Sequence, residues 1–296
     1  EGESVAGIRA GSEEIAAHVV VAADGVLSFM AEKAGLRPKM TPKNYAVGMK
    51  EVIELSEEKI NDRFNVESGE GCAQLFLGDV TQGIFGGGFL YTNRDTLSIG
   101  IVAGIQGLMK KAPPVEAHAL MDAFKEKYEI KRLIDGGKLV EYSAHIIPEG
   151  GYNGISKLYG NGIVVVGDAA GFALNMGVTV RGMEFAIASG TIAADTIVAA
   201  KEANDFTAKA LSDYERRLQE TFVMRDLAAC REMPEFLDNE SFFSYYPDNF
   251  PGFLEKIMWF GDGPKEKIGA TLWKEMKGSG MLSFKRLKEL YNIRKI

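Results

Sequence analysis

The sequence predicts a mixed α/β fold: a partial Rossmann-like, dinucleotide-binding domain, an inserted and mostly antiparallel sheet, and a helical C-terminal region. Three observations predict it. Two short apolar runs, HVVVAA at residues 18–23 and IVVV at residues 163–166, read as parallel strands covered on both faces, each followed closely by an Asp and a Gly. Between them, residues 43–147 turn into strand-like runs separated by turn signals. After residue 200 the pattern is mainly helical. The expected divisions are 1–40 and 151–200 for the two segments of the Rossmann-like domain, 41–150 for the inserted sheet and 201–296 for the helices.

Length and composition bound the classes of function. A chain of 296 residues suffices for one large or two ordinary domains. Glycine is frequent, at 34 residues, which points to tight turns and backbone approached closely by a ligand. Two cysteines, Cys72 and Cys230, are too few for a cysteine-only zinc or iron–sulfur site, and such sparing use fits a reducing compartment. No run of about 18 apolar residues is present, so no transmembrane helix is expected, and no signal peptide opens the chain. The net charge of −7 gives no reason to expect nucleic acid as a partner. That charge is uneven: residues 264–296 hold nine Lys/Arg against three Glu, a local +6 that leaves −13 on the rest. Such asymmetry suits either an electrostatic contact or a solvated basic helix pair.

In chain order, residues 5–10 read as a strand, Gly11-Ser12 as a turn, and residues 13–21 as a returning strand that becomes fully apolar. The chain starts on Glu1 in what reads as the middle of a fold, so an N-terminal truncation is expected. Asp24-Gly25 ends the first apolar strand and permits a turn with positive φ; at the carboxyl end of such a strand it is equally a ligand contact. A helix is expected from Ser28 to about Ala34. Residues 44–53, 72–77, 83–92, 96–103 and 138–147 read as strands, with a hairpin connection around residues 91–96. One helix starts with Ser56 as its N-cap. Another starts near Pro114 and presents Leu120, Met121, Phe124 and Tyr128 on one face. The triple glycine Gly86-Gly87-Gly88 reads as a bulge, or else as a place where backbone approaches a ligand. His18, His118 and His145 have no catalytic constellation around them, and His145 reads as a core residue of its strand.

The chain is organised around residues 162–190, GIVVVGDAAGFALNMGVTVRGMEFAIASG. A buried strand ends at Gly167-Asp168, small residues through Gly171 leave room for a ligand, and a helix is expected from about Arg181 to Ala200. This reads as half of a flavin site. Asp168 offers a carboxylate to a ribityl or ribose hydroxyl. The helix start at Arg181, Gly182 and Met183 faces the pyrimidine end of the ring, where negative charge develops on reduction; a helix terminus stabilises an anion by about 0.3–1 kcal/mol. Further on, eight of the 21 residues 240–260 are aromatic, filling core, lining a quinone channel or resting at a bilayer surface. The last helix carries Phe284, Leu287, Leu290 and Tyr291 on one face, with Lys285, Arg286 and Lys288 elsewhere. Packing of that face against the body is the expected arrangement, with contact to anionic lipid as the alternative.

Two motifs now stand together: VVVAADGVLS at residues 19–28 and VVVGDAAG at residues 164–171. The pair resembles the second and third flavin fingerprints of glutathione-reductase-type FAD oxidoreductases. The continuation GFALNMGVTVRGMEFAIASG (171–190) resembles the FixC proteins, relatives of electron-transfer flavoprotein:quinone oxidoreductase. So do YAVGMKEVIEL (45–55), FLGDVTQGIFGGGFLYTN (76–93) and YSAHIIPEGGY (142–152). The resemblance covers essentially the whole chain. It implies FAD as cofactor, with contacts at Asp24, Gly25, Gly167, Asp168, Gly171, Arg181, Gly182 and Met183. It also implies electron flow from electron-transfer flavoprotein through FAD to quinone or to a ferredoxin-like small subunit. Two cysteines and an end at Ile296 point to the FixC type rather than to relatives with a four-cysteine iron–sulfur module. A cytoplasmic location is implied, with a peripheral place on the inner membrane.

One departure is large. The family's first fingerprint, Gly-x-Gly-x-x-Gly after the first strand, seats the FAD pyrophosphate. The Gly-x-Gly pairs here, including 69–71, 86–88, 160–162, 261–263 and 278–280, lack a glycine three positions further on. Weak or no FAD binding and an inactive chain are therefore expected of these residues alone. No catalytic acid or base is expected, because distance and potential govern electron transfer. Two other classes stay open: an FAD-dependent reductase of an isoprenoid lipid, and a flavin-free interaction domain.

Overall fold

The computed structural model describes residues 4–177, 179–260 and 262–295, of Lys295 only the backbone; the opening Glu1, Gly261 and the terminal Ile296 lie outside the described residues. In chain order the strands are β1 (Gly7–Ala10), β2 (Glu13–Ala16), β3 (Val20–Ala22), β4 (Tyr45–Glu54), β5 (Ala73–Phe76), β6 (Gly86–Thr92), β7 (Thr96–Gly104), β8 (Lys138–Pro148), β9 (Tyr159–Gly160), β10 (Ile163–Val165), β11 (Leu174–Asn175) and β12 (Val180–Arg181). The helices are α1 (Phe29–Lys33), α2 (Glu57–Phe64), α3 (Ile105–Lys110), α4 (Ala117–Glu126), α5 (Tyr128–Ile134), α6 (Gly167–Ala170) and α7 (Met183–Glu202). Then follow α8 (Ala208–Leu211), α9 (Asp213–Gln219), α10 (Phe222–Ala229), α11 (Met233–Leu237), α12 (Tyr245–Met258), α13 (Ile268–Gly278) and α14 (Phe284–Asn292). The chain divides into two compact units, residues 1–46 with 146–234, and residues 47–145 with 235–296.

The first unit is built on the two apolar runs. β3 and β10 pair in parallel, Val21 opposite Val164, and β9 closes the other edge of β10 antiparallel. Val164 and Val165 are fully buried, as strands covered on both faces must be. The returning strand expected over residues 13–21 is two elements instead. Glu13–Ala16 pairs with β1 as an exposed hairpin, and the chain changes sheets at residues 17–19, where the His18 ring stacks on Phe206 at 4.8 Å. Alternating charge in EEIA suits a hairpin arm and not a covered strand. α7, with α9 and α10, packs over this sheet, burying Phe185, Ser189, Ala193, Tyr214, Leu218, Val223 and Leu227. The Tyr214 hydroxyl donates to the Val165 carbonyl at 3.0 Å, tying α9 to β10. By length and composition α7 is apolar enough to cross a membrane, but its buried stripe from Phe185 to Ala200 serves as core of this unit.

The second unit holds a five-stranded sheet in the order β5-β6-β7-β4-β8. β5, β6 and β7 are antiparallel neighbours, and the expected hairpin closes with Asn93 N–H donating to the Thr96 carbonyl at 2.8 Å. Leu90, Leu97, Ile99 and Ile101 pack beneath Leu120, Met121 and Phe124 of α4. The triple glycine forms no bulge: Gly86, Gly87 and Gly88 pair in continuous register with Ala103, Val102 and Ile101. A Cβ on Gly88 would sit 2.7 Å from the Phe124 ring, and on Gly87 2.6 Å from the Phe76 carbonyl. The bare backbone is there so that the ring can lie on the strand. Tyr128 does not share the α4 face. Lys127 is extended, a new helix starts after it, and Tyr128 is 70 % exposed. His145 is also exposed rather than core.

The C-terminal helices of this unit invert the expected packing. On α14 it is the polar edge that packs: Arg286 pairs with Glu289 at 2.8 Å with the two side chains only 13 % and 11 % exposed. Tyr246 of α12 and Ser241 donate to the same carboxylate at 2.9 and 3.0 Å. Phe284 is 85 % exposed, and Leu287, Leu290 and Tyr291 are exposed with it. A fully hydrogen-bonded carboxylate needs a protein partner more than the apolar side chains do, because burying it unpaired would cost far more.

Candidate functional site

The first unit contains a cavity of about 750 Å³, within the range of small-molecule sites. It lies at the carboxyl ends of β3 and β10 and at the start of α7, where an open α/β sheet is expected to take ligands. Its walls are mainly apolar, from Val21, Ile147, Val166, Leu174, Val180 and Met183, with four charged side chains: Glu149, Asp168, Arg181 and Glu184.

The residues expected at the site divide by where the fold puts them. Gly25, Gly167, Asp168, Arg181, Gly182 and Met183 all line the cavity. Gly167 has φ +58°, opens α6, and gives its N–H to Ser189 Oγ at 3.0 Å. Asp168 therefore stands on a one-turn helix rather than in an open turn, beside the start of α7. A Cβ on Gly182 would be 3.9 Å from its Oδ1. Asp24 is absent from the lining; its Oδ2 accepts the Met30 N–H at 2.9 Å and holds the start of α1. Gly171 also lies outside the lining: it caps α6 at φ +86°, where a Cβ would meet the Gly154 carbonyl at 2.7 Å.

Arg181 does not present an unopposed charge. Its guanidinium pairs with Glu184 at 2.6 Å and with Asp226, and lies over the Phe185 ring at 4.7 Å. These carboxylates raise the guanidinium further above its ordinary value, Glu184 first. Glu184 is held below the usual carboxylate range by Arg181, then by its own N–H, with the Gly182 N–H adding to this. The start of α7 thus has a carboxylate of its own close by, as the positive end of a helix favours.

Glu149 is the cavity residue that periodicity and motif reading passed over. It follows β8, and its Oε2 accepts from Asn175 Nδ2 at 3.2 Å. Burial pushes its carboxyl up to about 7, opposed by the Asn175 hydrogen bond. The only signal in sequence was its place in PEGG at the end of an apolar strand, which reads equally as a turn.

The donor set fits a flat ring with a polyol tail. Apolar walls suit the ring, the α7 start suits partial negative charge, and Asp168 suits hydroxyl groups. Among the described residues no cluster of three or more His, Cys, Asp or Glu could hold a metal ion.

The family model described as ETF-QO, ubiquinone-binding, matches residues 45–147. A protein of Escherichia coli K12 named as probable electron transfer flavoprotein-quinone oxidoreductase YdiS is 43 % identical over 96 % of this chain and 66 % of its own length. Protein FixC of the same strain is 41 % identical over 94 % of this chain and 64 % of its own. The chain thus spans a little under two thirds of the length of these relatives. Among solved structures, a geranylgeranyl bacteriochlorophyll reductase-like protein of Thermoplasma acidophilum superposes with a TM-score of 0.64 at 21 % identity, over 98 % of this chain and 67 % of that one. The flavin-dependent brominase Bmp2 gives 0.55 at 15 % identity, over 95 % and 68 %. At these identities the likeness is one of fold.

Proposed function

We propose, from the premise that this chain belongs to the FixC family, that it forms the ring-binding and quinone-side parts of a flavin-dependent oxidoreductase, passing electrons from an electron-transfer flavoprotein through FAD to quinone. A ferredoxin-like subunit is the alternative acceptor. The observation that carries the reading is the cavity at the strand ends, with Asp168 and the α7 start on its wall. Bound there, the flavin supplies the redox chemistry. Asp168 would hold hydroxyl groups of its tail, Gly25, Gly182 and Met183 would let the ring approach, and the apolar walls would exclude water. The α7 N–H groups favour negative charge at the ring, while the Arg181 charge is already matched by Glu184 and Asp226. FAD binding by this chain is weak on this reading, because no Gly-x-Gly-x-x-Gly is present to seat the pyrophosphate. The ubiquinone-binding match over residues 45–147 supports the second unit as the quinone side.

The test titrates the chain with FAD and with riboflavin, read by flavin fluorescence. Saturable binding is expected, weakened about tenfold in Asp168→Ala, which is ~1.4 kcal/mol for a charge-assisted hydrogen bond. Binding of neither flavin at any concentration would overturn the reading. With the holoprotein, oxidation of reduced electron-transfer flavoprotein by quinone, and not reduction of a prenyl lipid, is the expected activity.

A further inference from the structure

Glu149 is the cavity's least explained group. Its backbone N–H donates to the Asn44 carbonyl at 2.8 Å, and a Cβ on Gly150 would lie 2.8 Å from Gly154 Cα, so the loop that carries it is tightly folded. The amide of Asn175 is oriented independently: its Oδ1 accepts the Gly177 N–H at 2.8 Å, so its NH₂ must face Glu149. One carboxyl oxygen is thereby committed as an acceptor. Around it the wall is Ile147, Pro148, Leu174 and Val180, side chains that carry no charge to offset a negative one. The titratable groups facing the cavity are Asp168, Glu184 and Arg181, and Arg181 is paired with Glu184 and Asp226. On the neighbouring segments stand Lys43, beside Asn44, and Tyr152, whose ring lies under Arg231 at 4.1 Å. An ionised Glu149 would therefore add a third carboxylate to a mainly apolar cavity. A protonated one keeps the Asn175 bond and gains a donor. The upward displacement of its carboxyl by burial agrees with that.

We propose that Glu149 is the recognition group of this cavity, donating a hydrogen bond as a carboxylic acid to an acceptor atom on the bound ring. The proposal rests on the flavin reading of the cavity and deepens it: the ring carbonyl and imine atoms are the acceptors. Ligand binding then takes up a proton at Glu149 whenever the carboxyl was ionised beforehand.

Riboflavin, which carries the ring without the pyrophosphate, is the probe. Binding to the wild-type chain is expected to be about thirtyfold tighter at pH 6 than at pH 8.5, following the protonated fraction of a carboxyl pushed up to about 7. Glu149→Gln keeps an acceptor for Asn175 and a permanent donor for the ring. It is expected to bind equally at both pH values, close to the wild type at pH 6. Glu149→Leu is expected to bind weakly at both. The carboxyl carbon resonance of Glu149, assigned by its loss in Glu149→Gln, is expected to titrate near neutrality in the ligand-free chain. Titration in the ordinary carboxylate range overturns the proposal whatever riboflavin does. So does a Glu149→Gln chain that keeps the wild-type pH profile, or equal wild-type affinity at both pH values; either result leaves the flavin reading intact. Absence of riboflavin binding to every variant at both pH values overturns the flavin reading, and this proposal with it.

Discussion

Glu149 also ties the stability of the fold to pH, independently of any ligand. Its folded carboxyl titrates at about 7 against an ordinary value of 4.5, so between these values the folded state binds more protons than the unfolded one. Stability from this group is therefore fully present below about pH 4.5, falls as pH rises towards about 7, and then levels off. The span is about 3 kcal/mol at most, and less to the extent that solvent reaches this half-buried residue. Urea unfolding of wild type and Glu149→Gln between pH 4.5 and 8 should show the downward slope in the first and not in the second. A second residue-scale prediction concerns packing. Gly88→Ala places a methyl 2.7 Å from the Phe124 ring, and a loss of about 1–3 kcal/mol is expected in the urea midpoint, partly recovered by adding Phe124→Leu. Neither position was legible from sequence. PEGG and GGG carry turn signals, and which ring stands over a glycine, or which apolar wall surrounds a carboxyl, comes from distant parts of the chain.

At the scale of elements, the two short apolar strands were readable because such runs suit a parallel sheet; only β10 is covered on both faces, while Val21 of β3 is 44 % exposed on the cavity side. β3 and β10 pair in parallel as that pattern requires. α7 was readable within two residues, from its Gly-rich start and long apolar run. What charge its first turn presents was not. Arg181 looked like a cation for a ligand, yet the fold brings Asp226 of α10 from 45 residues away to share it with Glu184. Arg181→Ala should leave two carboxylates unmatched beside the start of α7. A loss of about 1 kcal/mol is expected in chemical denaturation, larger at low than at high salt, since the groups are partly exposed. A salt-independent loss would point to the Phe185 and Phe222 ring contacts as the larger contribution.

At the scale of the whole molecule, the C-terminal helical region expected over residues 201–296 is shared between units. Residues through 234 complete the core of the first, and the rest belong with the five-stranded sheet. In the second unit the aromatic run splits as well: Phe243 and Phe253 are buried, while Trp259 is 72 % exposed and Phe260 is exposed beside it. Exposed Trp273 on α13 with Lys274 and Lys277, exposed Phe284 on α14 with Lys285 and Lys288, and exposed Trp259 and Phe260 just after α12 support a peripheral contact with anionic lipid. Trp259→Ser with Phe284→Ser is expected to reduce cosedimentation with phosphatidylserine-containing vesicles at least fivefold while leaving the melting temperature unchanged. Equal recovery of both proteins with the vesicles would reject that surface.

By itself the sequence determined the fold class, the parallel strand pair, the antiparallel insert and the FixC resemblance, because each rests on local periodicity or on contiguous motifs. Six of the eight residues it singled out, Gly25, Gly167, Asp168, Arg181, Gly182 and Met183, line the cavity, since strand ends and a helix start are local features. Only the tertiary structure decided that Arg181 is matched by carboxylates, that Glu149 joins the cavity wall, and that the apolar face of α14 points outward. The physical reason is common to all three. Each outcome depends on which charge or hydrogen-bond partner arrives from far along the chain, and a buried polar group commits the packing around it more strongly than any local pattern can.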